Sequence, residues 1–327
     1  MIKKFFLFVI AFSVLSAALI AFWAHRPIIG SEEKPVEFSI KAGSSVRSSA
    51  EQIAGAGVPV NPTLFGLLAR MTGKGSRLKA GNYELKPGTT PLKLIDQLVR
   101  GEFAQESLVI IEGWTFRQMR QAIANHPALK HDTVGLPDKE LLAKITTEYT
   151  RPEGLFFPDT YLFAKGSSDL QVYKQAHAVL QRRLSDAWAR RDPSLPYKSP
   201  YEALIMASII EKETGQKAER NLIAAVFINR LKRGMLLQTD PSVIYGMGED
   251  FQGNIRKRDL TNDTPYNTYT RVGLPPTPIS LPGVESLEAA LNPAKSDALY
   301  FVSRGNGTSE FSNNLNDHNR AVNKYQR

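Results

Sequence analysis

The chain has 327 residues, 42% hydrophobic and 22% charged, which reads as globular rather than disordered and as too long for one ordinary core. A net charge of +9 suits nucleic acid, an anionic membrane or an acidic polymer, but no compact Lys/Arg run or aromatic RNA-binding motif accompanies it, so nucleic acid is not an expected partner and a solvated basic surface is the default. There is no cysteine, and His25, His126, His131, His177 and His318 fall in no metal-ligand spacing; disulfides, Cys-bound zinc and a Cys nucleophile are excluded, and neither metal nor cofactor is expected.

Lys3 and Lys4 precede an apolar run from Phe5 to Ala24. Its length of about 20 residues suffices to span a bilayer as a helix. Trp23 sits where an interfacial aromatic belongs. A cleaved signal peptide is the rival, but Phe22-Trp23 occupies the place of the small residues that cleavage needs, which favours a retained anchor. The two lysines favour a cytoplasmic N-terminus, with Arg26 weakening the bias, and the remaining chain then lies outside the cytoplasmic membrane.

Residues 27–37 are polar, contain two prolines and read as a linker. Phe38-Ser39-Ile40 alternates like a strand, and 41–45 is a turn. Val46, Ala50 and Ile53 keep helical spacing up to Gly55 and Gly57; Leu64, Leu67, Leu68 and Met71 mark a second helix closed by Gly73. Tyr83-Glu84-Leu85 returns as a strand between Gly81 and Pro87. This βααβ order resembles a LysM-like module, a small glycan-binding unit, and a generic α+β adaptor fits the same pattern. Leu92, Ile95, Leu98 and Val99 form a further helix, 108–111 a strand, and 116–124 and 139–145 helices. Residues 153–161 crowd aromatics, Gly, Pro and two acids into a segment that cannot be a regular helix and reads most simply as a buried turn. A long amphipathic helix follows over 172–188, then a Pro-containing break at 192–196.

Ser199-Pro200-Tyr201-Glu202 is a strong helix start, with a capping Ser, a first-turn Pro and Glu three residues after Ser. The apolar stretch Ala203–Ile210 predicts a buried helix, ended by Glu211-Lys212-Glu213-Thr214-Gly215 with Gly215 as its stop. Glu211 and Glu213 are two residues apart, about 200° around the axis, so they cannot face one cleft. Glu213 follows Met206, Ile209 and Ile210 on the bulkier apolar surface and sits at the negative end of the helix dipole. Burial and dipole both raise a Glu pKa, which suits a general acid. The bland alternative is an i,i+4 surface pair of Glu213 with Lys217, on a helix that continues through Gly215. A helix over 218–233 follows, stopped by Gly234. Leu237–Ser242, Ile244–Gly246, Tyr266–Thr270 and Gly273–Ser280 read as structured loops whose amides, hydroxyls and aromatics suit a sugar or merely cap the core.

Taken in order, Ala207–Thr214, Phe227–Leu231, Leu237–Pro241, Tyr266–Tyr269 and Gly273–Pro276, with Glu153-Gly154 and Phe157–Tyr161 before them, resemble the endolytic murein transglycosylase family over nearly the whole chain. The resemblance places that family's catalytic Glu on Glu213. It implies an α+β fold with an N-terminal transmembrane helix, a small LysM-like βααβ module and an α+β catalytic domain. The boundaries expected here are 1–26 for the cytoplasmic tip and anchor, 27–37 for a linker, 38–110 for the module and 111–327 for the catalytic domain. The implied activity is lytic cleavage of the MurNAc–GlcNAc bond inside nascent strands, leaving 1,6-anhydroMurNAc ends and terminating elongation. Glu153, Gln238, Thr239, Asp240, Tyr266, Asn267 and Tyr269 are the expected glycan contacts. Peptidoglycan strands, the cytoplasmic membrane and peptidoglycan synthases are the expected partners. Two rivals stand beside this reading: a glycosidase pairing Glu213 with Asp240 or Glu153, which needs two carboxylates about 5–9.5 Å apart, and a noncatalytic scaffold that binds glycan and recruits synthases.

Overall fold

A computed structural model of the chain describes residues 2–213 and 216–326. The chain forms two compact units: residues 1–106 with 162–167, and residues 107–161 with 168–327.

The first unit begins with helix α1 (Ile2–His25), long and apolar enough to cross a membrane, as an anchor or a signal sequence would be. Its apolar side chains from Phe5 to Leu19 are exposed, which water would not tolerate over such a length and lipid would. At its end Ala24 is buried and Trp23 packs against the core of the unit. Ile29, in the segment read as a linker, joins that core, and the backbone there is tied down by hydrogen bonds from Ile28 N–H to Thr89 O and from Gly88 N–H to Ile29 O. Strands β1 (Val36–Ile40) and β2 (Gly81–Leu85) pair antiparallel with Phe38 opposite Tyr83, whose rings stack at 5.5 Å. Helices α2 (Val46–Gly55) and α3 (Pro62–Met71) lie between them in sequence, and α4 (Pro91–Arg100) follows. Alternate strand residues and one stripe of each helix supply the core: Phe38, Ile40, Ile53, Phe65, Tyr83, Leu85, Leu94 and Leu98. In α3 the buried stripe is Phe65, Leu68 and Ala69; Leu64, Leu67 and Met71, which marked the helix by their spacing, are exposed. Strands β3 (Gln105–Val109) and β4 (Thr160–Ala164) pair with each other, and the chain passes between the two units within them.

The second unit is largely helical: α5 (Phe116–Ala124), α6 (Asp138–Ala143), α7 (Asp169–Ala189), α8 (Pro200–Glu213), α9 (Arg220–Lys232), α10 (Asp240–Met247), α11 (Lys257–Thr261) and α12 (Val284–Leu291), then the hairpin β5 (Tyr300–Ser303) and β6 (Ser309–Ser312) and helix α13 (Leu315–Tyr325). Every residue of α8 from Ala203 to Ile210 is buried, with α7, α9, α10 and α12 packed around it. Burial on all sides explains why this segment is apolar on all faces. The fold is thus mixed α+β with an N-terminal apolar helix. It departs from the sequence reading at residues 240–247, expected as a loop and found as α10: Pro241 stands at the start of that helix and Gly248 ends it. The strand expected at 108–111 runs from Gln105 to Val109 instead. The expected helix stop at Gly215, with Thr214, lies outside the described residues.

Candidate active site

Helix α8 carries the two acids that the sequence singled out. At its start Glu202 N–H donates to Ser199 Oγ (3.4 Å), while the Glu202 carboxylate accepts from Lys198 N–H (2.6 Å), one residue earlier than a capping box would have it. Near its end Ser208 ties the 277–283 segment to the helix: Ile279 N–H donates to Ser208 Oγ (2.9 Å) and Ser280 Oγ to Ser208 O (3.1 Å). Beyond Ser208 the two carboxylates diverge, as their spacing requires. Glu211 accepts from Gly283 N–H (3.0 Å) and lies 4.0 Å from the buried Arg220 guanidinium. Glu213 turns the other way, into a cavity of about 450 Å³.

That cavity is lined by Phe227 and Arg230 from α9, Gln238, Asp240, Tyr269 and His318, among others. Thr239 Oγ1 donates to Glu213 Oε1 at 2.6 Å. Burial pushes the Glu213 carboxyl above the usual carboxylate range; the Thr239 bond opposes this, the Asp240 charge adds to the rise, and Arg230 opposes it. Lys217, the partner a surface pair would need, instead binds Glu285 (2.9 Å). Arg230 is buried and serves four acceptors: Nε donates to Leu299 O (2.7 Å), and Nη1 reaches Leu236 O, Leu237 O and Gln238 Oε1 (3.0–3.2 Å). It thereby holds the 236–238 segment, where Gln238 adopts φ +52, the one non-Gly residue with positive φ among those described. Such strain collects at functional sites because the surroundings must enforce it. Tyr269 OH donates to Asp240 Oδ1 (2.5 Å), fixing that carboxylate at the rim.

A buried carboxylate, Glu153, lies elsewhere in this unit. It accepts from Phe116 N–H at the start of α5 (2.9 Å) and from Tyr245 OH (3.0 Å). Burial outweighs these bonds and pushes its pKa up to about 7. Glu153, Tyr245 and Tyr266 line a separate cavity of about 720 Å³, in which the Tyr245 and Tyr266 rings meet edge to face at 4.9 Å. The neighbouring Gly154 has φ +77, and a Cβ there would lie 2.3 Å from Pro278 Cβ, so this turn admits only glycine.

Residues 38–324 match the model of the YceG-like family. The chain belongs to that family. Among its relatives is the endolytic murein transglycosylase of Bacillus subtilis, 32% identical over 322 residues, covering 92% of this chain and 87% of that one. The endolytic murein transglycosylase of Streptococcus pneumoniae is 30% identical over 366 residues and covers 96% of this chain, which spans 64% of the pneumococcal protein. A crystal structure of a YceG-like protein from Listeria monocytogenes, 33% identical, superposes with a TM-score of 0.55 over 88% of this chain and 98% of that one.

Within this YceG-like chain the expected glycan contacts divide into three groups. Gln238, Asp240 and Tyr269 line the Glu213 cavity. Glu153 and Tyr266 line the other cavity, where Tyr266 OH binds Thr277 Oγ1 (2.8 Å). Thr239 and Asn267 are buried and their side chains serve the protein: Thr239 holds Glu213, and Asn267 Nδ2 donates to the carbonyls of Asp259, Leu260 and Asn262. Sequence reasoning passed over Arg230 and His318. Arg230 stands in a helix whose faces are nearly all buried, and an Arg in such a helix signals a buried hub. His318 comes from α13, more than 100 residues after Glu213; its ring stacks on Tyr300 (5.0 Å) and its Nδ1 is buried with no partner among the described residues. No local pattern announces it.

Proposed function

We propose that this protein is a membrane-anchored endolytic peptidoglycan lytic transglycosylase, with residues 1–26 as a retained anchor, 38–110 as a LysM-like glycan-binding module and 111–327 as the catalytic domain. The observation that carries the reading is the Glu213 carboxyl, half-buried at the C-terminal end of α8, held by the Thr239 hydroxyl and opening onto a cavity with Gln238, Asp240 and Tyr269. This carboxyl, whose pKa burial raises, donates its proton to the glycosidic oxygen as the C1–O bond of MurNAc breaks. The resulting carboxylate then takes the proton of the same sugar's 6-hydroxyl, whose oxygen closes on C1. Atoms balance without water, and one residue serves as acid and then base. A tethered hydroxyl is favoured over water because a well-oriented intramolecular nucleophile reaches effective molarities of about 10⁵–10⁸ M. Thr239 fixes Glu213 through Oε1, which leaves Oε2 for proton transfer.

One observation favours a second reading: Asp240 lines the same cavity, so a hydrolase using Glu213 as acid and Asp240 as base is the competitor. Glu153 does not line that cavity. Digestion of purified linear glycan followed by mass spectrometry separates the two, since a lytic product carries an anhydro end and a hydrolytic one has gained a water. Tethering by α1 favours cutting of newly made strands beside the membrane. Shortening in large steps supports internal cleavage, and disaccharide release from one end contradicts it. Recovery of the mature protein beginning near residue 25 would contradict the anchor.

A further inference from the structure

Helix α3 carries an apolar face that its own unit does not cover. Leu64, Leu67 and Met71 are 38%, 42% and 64% exposed, and they fall within about 60° of one another around the helix axis. Apolar side chains scattered singly over a surface need no explanation, but a stripe of them does. The charge beside the stripe is of one sign. From Gln52 to Tyr83 the chain holds Arg70, Lys74, Arg77 and Lys79 and no acid. Lys74 is taken up by Asp96 of α4, and Lys79 Nζ by Arg100 O (3.0 Å). Arg70 and Arg77 are exposed and have no ion-pair partner among the described residues. Leucine and methionine flanked by arginine is the composition of a helix that lies in the plane of a membrane interface.

The same unit is joined to α1 without slack. Trp23 packs on its core, Ala24 and Ile29 belong to that core, and backbone bonds tie Ile28 and Ile29 to residues 88–89. An interfacial Trp sits at headgroup level, so the unit begins at that level. Helix α4 packs on both α1 and α3. We propose that the exposed face of α3 docks on the anionic phospholipid surface of the membrane that α1 enters. Leu64, Leu67 and Met71 dip below the headgroups, and Arg70 and Arg77 meet lipid phosphates. Other occupants fit less well. A second copy would bring the same cations against these and be repelled. A glycan would call for rings and amides, and the one ring of α3, Phe65, is buried on the opposite side. The proposal rests on α1 being retained as the anchor. It adds a second attachment, which keeps the first unit from swinging about a single helix.

The test uses the full chain, which has no cysteine, with Thr63→Cys at the exposed edge of the stripe. A nitroxide attached there reports its depth by collision with oxygen, which partitions into lipid, against a water-soluble nickel chelate. The chain is reconstituted into phosphatidylcholine bilayers with and without phosphatidylglycerol. The label should favour oxygen in the anionic bilayers, and less so at high salt. Arg70→Gln and Arg77→Gln should each lower the ratio of docked to undocked chain about fivefold. Leu67→Gln with Met71→Gln, which keeps good helix formers, should abolish docking. The charge and apolar variants are independent, so either carries the test should the other melt below the assay temperature. A label open to nickel in both bilayers, or an oxygen preference unchanged in the folded variants, overturns the proposal. So does spin–spin broadening that grows with protein density, which would assign the face to a second copy, or protection that appears only when glycan is added. An alkaline carbonate wash separates this contact from the anchor. Release of the chain sinks the retained anchor and the proposal with it, whereas a retained chain whose label stays open to nickel sinks only the α3 contact.

Discussion

Replacing Glu153 by Gln should flatten the pH dependence of stability. In the folded chain this carboxyl titrates near 7, against an ordinary value of 4.5, because it is buried. A difference of about 2.5 units at 1.36 kcal/mol each corresponds to about 3 kcal/mol. The folded pKa is the higher one, so folding favours the protonated acid. The stabilisation is complete below about pH 4.5 and is lost as pH rises through about 7, and roughly 2–3 kcal/mol of the loss falls between pH 5 and 8. For a unit of this size that is a melting shift of roughly 5–10 °C. Gln keeps the shape and one carbonyl for the Phe116 N–H or the Tyr245 hydroxyl, but cannot ionise. The variant should therefore start less stable at pH 5 and lose less on the way to pH 8. The assay is thermal unfolding of the detergent-solubilised chain by near-ultraviolet circular dichroism, in steps of pH. Parallel melting curves for wild type and Glu153→Gln across pH 5–8 would refute the reasoning, because the titrating group would then lie elsewhere.

Other perturbations test the supports of the site. Gly154→Ala should cost about 2–3 kcal/mol or more, since it combines a left-handed backbone with a Cβ 2.3 Å from the Pro278 ring; a thermal melt reads it directly. Arg230→Lys should destabilise by about 2–4 kcal/mol, because an ammonium cannot serve Leu299 O, Leu237 O and Gln238 Oε1 together, and a denaturant titration should show a lower midpoint. Thr239→Val removes a hydrogen bond that lowers the Glu213 pKa, so the alkaline limb of the glycan-cleavage profile should move to higher pH while the maximal rate falls. An unmoved limb would mean that Thr239 does not set the ionisation of the acid.

Much of this was legible in the chain. The α1 segment and the buried stretch of α8 are nearly continuous apolar runs, and the opposed directions of Glu211 and Glu213 follow from 3.6 residues per turn. What escaped depends on distance in sequence or on context. Helix α10 looked like a loop because Thr239-Asp240-Pro241 opens a short helix with only Ser242 and Val243 buried, too few for a periodic signal. In α3, Leu64, Leu67 and Met71 have helical spacing but face outward, since the narrow core takes Phe65 and Ala69 instead. Thr239 and Asn267, expected as glycan contacts from their polarity among aromatics, are buried, and their bonds to Glu213 and to backbone carbonyls join residues far apart in sequence that no local pattern links. His318 reaches the Glu213 cavity only because α13 packs on the β5–β6 hairpin.

In the proposed mechanism Glu213 is both acid and base of a reaction that excludes water. Its most direct test is digestion of linear glycan by the wild-type chain and by Glu213→Gln, with Glu211→Gln as the control for a carboxylate held by Gly283 and Arg220. Strand ends are weighed by mass spectrometry, at a temperature where melts show all three folded. Loss of one acid/base group costs about 10²–10⁴ in rate, and the loss here should lie at or beyond the upper end because one residue does both tasks. Anhydro ends are expected from the wild type, no detectable cleavage by Glu213→Gln and substantial cleavage by Glu211→Gln. Full activity in folded Glu213→Gln, or wild-type ends that carry an added water, would contradict it.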